Sequence, residues 1–137
     1  MSVKIDGTSI EKLGDNVRGL NFRLRVQAKA SSYTVVEADC GSVFTTRGAA
    51  GAITFTLPAV SSTYTDFVCW FFNAVDQNMT IAGTAGELMT FNDVAANSVA
   101  FSTSSEKVGA GVMAVCDGTS WLILPMTEET QTMTVAT

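Results

Sequence analysis

Residues 20–26 alternate: Leu20, Phe22, Leu24 and Val26 are separated by Asn21, Arg23 and Arg25, with Gln27 following. Period two is the mark of a half-buried strand, and it predicts that this apolar set faces a core while Arg23 and Arg25 stand together on the opposite face. Ile53, Phe55 and Leu57 alternate with Thr54 and Thr56 in the same way until Pro58 ends the run, and residues 130–135 form a last alternating stretch. Between them lie short apolar runs at 33–37, 42–45, 67–72, 79–82, 88–91, 99–101, 108–116 and 120–124, each bounded by Gly, Asn, Asp, Ser or Pro. Residues 67–72 are apolar throughout and predict a strand buried on both faces. Asp117-Gly118 between the runs 108–116 and 120–124 predicts a tight hairpin. No segment carries three turns of helical periodicity; residues 9–13 alone suit a single helical turn.

About nine to eleven strands at roughly 10-residue spacing define an all-β protein, an antiparallel β-sandwich or β-barrel of jelly-roll-like form. Residues 1–29 are expected to form a short extended N-terminal arm and first strand, and residues 30–137 a single β-domain. Neither an internal repeat nor a linker divides the 137 residues. Only 15% of them are charged while 47% are hydrophobic. An ordinary domain carries about 25% charged residues, so the deficit implies that partners cover part of the surface.

The charge is divided unevenly. Residues 1–29 carry a net +3 and the rest −8, against −5 for the chain. A basic end on an acidic body is expected to reach toward an acidic surface, a second copy included. Within that end, Arg18, Phe22, Arg23 and Arg25 are the candidate capsid or inter-subunit contacts, because a strand with an apolar stripe beside arginines can add to a neighbouring sheet edge. Nucleic acid is not an expected partner, since the acidic body repels phosphate and no basic run is interleaved with aromatics. A membrane is not one either: no stretch approaches roughly 18 consecutive apolar residues, and the opening residues lack the charged-then-apolar design of a signal peptide.

Catalytic chemistry has little to draw on. The absence of histidine removes the commonest general base and metal ligand. Cys40, Cys69 and Cys116 have no chelating spacing, so no metal or other cofactor is expected, and they read as structural thiols of a reducing cytosol. Gly48-Ala49-Ala50-Gly51 and Gly83-Thr84-Ala85-Gly86 match no phosphate loop. Carboxylates such as Asp66, Asp76, Asp93 and Asp117 fall at strand ends, where they terminate strands and bind turns. The expectation is a protein that binds and assembles without being an enzyme.

One ordered series of segments is more specific. Residues 33–46 (Tyr-Thr-Val-Val-Glu-Ala-Asp-Cys-Gly-Ser-Val-Phe-Thr-Thr) lead to Gly48-Ala-Ala-Gly-Ala-Ile-Thr-Phe-Thr-Leu-Pro58 and, later, to Cys116-Asp-Gly-Thr-Ser-Trp121. Over residues 33–124 this resembles a module of tailed-bacteriophage virion proteins: strand, Asp-x-Gly, strand, Gly-Ala turn, strand ending in Leu-Pro, and an Asp-Gly-Thr-x-Trp hairpin. The resemblance implies a β-barrel-like unit, often trimeric, made in the host cytoplasm and carried on the virion. Capsid decoration (cement) proteins, head fibres and tail-fibre or baseplate domains share the module. The short basic arm and small size favour a decoration protein on the phage head surface, with the major capsid protein as its partner. A fibre or baseplate component is the second expectation, and a carbohydrate or host-surface binding module the third.

Overall fold

Alternation becomes strand wherever it is strong. The computed structural model describes residues 23–137, which form twelve strands. They are β1 (Arg25–Ala28), β2 (Tyr33–Thr34), β3 (Ser42–Thr45), β4 (Ile53–Thr56), β5 (Val68–Phe72), β6 (Met79–Ala82), β7 (Leu88–Thr90), β8 (Asp93–Ala96), β9 (Ser98–Phe101), β10 (Gly111–Cys116), β11 (Trp121–Pro125) and β12 (Thr134–Ala136). Seven make one sheet in the order β1-β3-β5-β10-β11-β7-β8, and five make the other in the order β12-β9-β6-β4-β2. The two sheets pack into the expected all-β sandwich.

The pairing is mixed where an antiparallel arrangement was expected. From β1 to β6 the chain passes from one sheet to the other after every strand. Odd-numbered strands therefore stack in parallel as β1-β3-β5, and even-numbered ones as β2-β4-β6. Each stack ends on an antiparallel strand, β10 beside β5 and β9 beside β6. Alternation has the same period in parallel and antiparallel strands, so the residue pattern does not encode this choice.

Side chains from both sheets meet in one core. Phe44 and Phe71, neighbours in register on β3 and β5, stack at 5.4 Å. Phe55 of the opposing sheet lies 5.7 Å from Phe44 and 5.0 Å from Phe71, and Tyr33 extends the cluster at 5.5 Å from Phe44. A second aromatic group forms where Phe67 meets the Trp121 ring edge-on at 5.6 Å. Trp121 is wholly buried, and its indole N–H donates to the Pro58 carbonyl at 2.8 Å. That bond ties the Leu57-Pro58 end of one strand to the hairpin 63 residues later.

The β10–β11 hairpin is tight, as Asp117-Gly118 predicts. The Asp117 carboxylate accepts from the Thr119 and Ser120 amides at 2.8 and 2.7 Å, and those bonds hold its pKa below the usual carboxylate range. Gly118 takes φ +90°, and a β-carbon there would stand 2.8 Å from the Thr65 hydroxyl. Gly111 opens β10 so close to β5 that a β-carbon would collide with the Phe71 carbonyl.

Three expectations need correction. Residues 33–37 do not form one strand: β2 ends at Thr34, and residues Glu37–Asp39 make a 3-10 turn held by the Val36 amide donating to the Asp39 carboxylate. Asp93–Ala96 pairs with β7 as an additional strand that its small, polar sequence conceals. Finally, β5 is buried on one face only, with Cys69 and Phe71 inside but Phe72 44% exposed.

Candidate functional site

The inward side of the seven-stranded sheet is complete, so attention falls on its outward side. There the register aligns one apolar row across five strands: Val26 beside Val43, Val43 beside Trp70, Trp70 beside Met113, and Met113 beside Leu124. A second row runs Val68, Val115, Leu122, Met89. Phe72, 44% exposed, pairs with Thr45. None of these residues is charged, and Thr45 alone is polar. Apolar strands normally alternate with polar outward residues when one face meets water. This sheet is apolar on both faces.

A groove of about 340 Å³ opens on the same side, lined by Leu24, Val43, Trp70, Phe72, Gly111 and Met126 among others. Of these, Leu24 and Met126 are 43% and 58% exposed, so the groove has apolar rims. Gly111 contributes backbone alone to this lining.

At the β1 end the sandwich is closed by polar groups. Arg25 and Gln27 stand in register with Ser42 and Phe44, which places them on the inward side of the sheet. Asp39, 4% exposed, sits opposite them. One carboxylate oxygen accepts from the Tyr33 hydroxyl at 2.8 Å and the Val36 amide at 3.0 Å. The other accepts from the Gln27 amide at 3.0 Å and the Arg25 guanidinium at 3.5 Å. Burial pushes the carboxyl pKa up, but the hydrogen bonds from Gln27, Val36 and Tyr33 and the charge of Arg25 outweigh it and hold it below its ordinary value. The bond to Asp39 in turn raises the Tyr33 phenol. This cluster joins the first two strands to the turn before β3. It is fully engaged and serves the fold.

The expectation for residues 20–26 therefore changes. Arg18 and Phe22 lie outside the described residues, and Arg23 is exposed ahead of β1. Arg25 donates to the Ala38 carbonyl at 2.6 Å and the Ser42 hydroxyl at 3.1 Å as well as to Asp39, so its guanidinium is committed within the chain. Leu24 and Val26, expected in the core, are 43% and 66% exposed. Buried carboxylate and hydroxyl groups on the inward side require donors, and that requirement reverses the faces of β1.

The outward rows were missed as a site. Their signal is present in residues 67–72, 112–115 and 121–124, which are apolar at nearly every position, more than a single core requires. Among the described residues, no group of three His, Cys, Asp or Glu side chains is placed to hold a metal ion, and no helix is long and apolar enough to cross a membrane. Cys69 is wholly buried and its thiol pKa is raised, chiefly by burial; Cys116 is also buried and Cys40 is exposed. The chain matches no known protein-family model, and no curated protein is similar to it.

Proposed function

We propose that this chain is a viral structural protein of the capsid-decoration kind: it binds the assembled head shell through the major capsid protein, stabilises it, and works without catalysis. The observation that carries the binding half of this reading is the uncharged apolar outer face of the seven-stranded sheet, an area large enough to mark an interaction surface on a chain this small. The virion half rests on the module resemblance. Its segments occupy coherent places in the sandwich: the turn before β3, the strand ending at Leu57-Pro58, and the Asp117-Gly118 hairpin whose Trp121 bonds to Pro58.

A decoration protein acts by mass action. Binding only the mature shell stabilises that shell by the binding free energy at each of many sites. A rigid sandwich suits the task, because little conformational entropy is lost when it docks. The test is composition and imaging of purified particles of the virus that encodes the chain. The expected result is many copies per particle and added density on the head surface. Absence from the particles, or density confined to the tail, would defeat the reading.

A further inference from the structure

Resting on the reading of this chain as a shell-binding protein, we infer that Phe91, at the tip of the β7–β8 hairpin, is an anchor residue whose ring enters an apolar pocket of the shell protein. Three features that each work against the isolated fold meet in this hairpin. The first is the backbone. Phe91 holds φ +45°. That left-handed region is unfavourable for bulky side chains, whereas asparagine and aspartate enter it with little penalty. The other non-glycine residues at positive φ among those described, Asp66 and Ser105, are small and polar. Asn92 stands one position away, so the residue suited to the conformation is present and an aromatic one takes it instead.

The second feature is exposure. Phe91 and Val94 are 68% and 70% exposed, the two highest values among the large apolar side chains described. Between the pairs Leu88–Ala96 and Thr90–Asp93, β8 contains one residue more than β7, and such a bulge turns side chains out of the regular alternation. The third is the Thr90 hydroxyl. Thr90 is 3% exposed, and its oxygen is the one buried side-chain polar atom among the described residues without a hydrogen-bond partner. An orphaned hydroxyl weakens a fold. Backbone strain collects where function holds it in place, and exposed aromatic side chains are the commonest binding hot spots.

Chemistry and position identify the occupant. From Leu88 to Ala96 the one charged residue is Asp93, and its carboxylate accepts from the Ala95 amide at 2.9 Å and the Thr137 hydroxyl at 2.6 Å. The tip therefore presents apolar surface, and the recess that receives it is uncharged. Position ties that recess to the shell. Met89, two residues before Phe91, ends the outward row Val68, Val115, Leu122, Met89. A surface that covers this row meets the hairpin next, so the tip marks the margin of the same contact and supplies the large ring that the row lacks.

An anchor of this kind opposes the fold and favours binding, so Phe91→Asn separates the two. The experiment measures thermal melting of the full-length protein, its mass by light scattering, and its titration onto heads of the encoding virus prepared without it. The expected result is that Phe91→Asn melts above the unaltered protein, because asparagine tolerates the backbone, yet binds heads at least about tenfold more weakly. Val36→Thr, which removes exposed apolar surface elsewhere, is expected to bind as the unaltered protein does. A Phe91→Asn chain that binds heads undiminished would remove the anchor and leave the decoration reading standing. One that melts several degrees lower would place the ring in the fold and overturn the inference. So would a multi-chain mass that falls to 14.4 kDa on this substitution, which would assign the ring to a contact between copies. Heads that take up none of the unaltered protein would defeat the decoration reading itself, and the anchor with it.

Discussion

The seven-stranded sheet has two apolar faces with opposite fates. Its inner face carries Phe44, Cys69, Phe71, Val112, Ala114 and Trp121, none more than 2% exposed, packed against the second sheet. Its outer face carries Val43, Trp70, Phe72, Met113 and Leu124 in the same strands, with Phe72 and Leu124 almost half exposed. Hydrophobicity alone does not separate the two sets. What separates them is geometry: the inner side chains meet rings and carbonyls of the same chain at fixed distances, whereas the outer ones meet a groove. The inner face is closed by the second sheet, and the outer face is left without such a cover among the described residues.

The contrast can be broken most forcefully from inside. Phe71→Ala removes a ring lying 5.4 Å from Phe44 and 5.0 Å from Phe55, and is expected to cost about 3–5 kcal/mol in denaturant unfolding. A loss under about 1 kcal/mol would mean that the inner face is not the close-packed one. Next comes the hairpin that joins β10 to β11. Gly118→Val puts a β-branched residue at φ +90° with its β-carbon against Thr65, and should lose about 1–3 kcal/mol. An unchanged melting temperature would show that the turn relaxes freely.

A third prediction concerns pH. Asp39 has a lower carboxyl pKa folded than unfolded, so its contribution is complete above the unfolded value of about 3.9 and is lost as pH falls through the folded value. Melting temperatures measured from pH 6 to pH 2 should therefore fall, and Asp39→Asn should flatten part of that fall. A variant keeping the full acid dependence would assign it elsewhere, with Asp117 the first alternative. The smallest effect sharpens the contrast from outside. Leu124→Ala should change unfolding free energy by less than about 1 kcal/mol; a loss matching that of Phe71→Ala would place Leu124 in a core.

Much of the fold is legible in the residues. Alternating Ile53, Phe55 and Leu57 mark β4, and Asp117-Gly118 marks the hairpin, because local backbone chemistry settles both. The reversal of β1 is not legible, since Leu24 and Val26 are more apolar than Arg25 and Gln27. The deciding fact is Asp39, 14 residues from Arg25 and buried where only donors can satisfy it. Similarly, β8 contains two alanines and becomes a strand only because β7 offers an edge. The candidate site was half legible. An apolar run from 67 to 72 announces two apolar faces, but whether the second is buried depends on what lies across it.

The interleaved path of the first six strands also governs how the molecule comes into being. Strands of the β1-β3-β5 stack are separated by more than a dozen residues of chain that visit the other sheet, so few early contacts are local, and high contact order slows folding toward the millisecond-to-second range. During synthesis both stacks exist before either is closed: the free edge of β6 waits for β9, and that of β5 waits for β10. Until residue 101 has left the ribosome both edges are open, and the edge of β5 stays open until residue 116 follows. Open edges recruit other strands, so the interval between β6 and β10 is when the nascent chain is most exposed to mispairing, and the β10–β11 hairpin, the longest local pairing in the molecule, is the element whose arrival ends it.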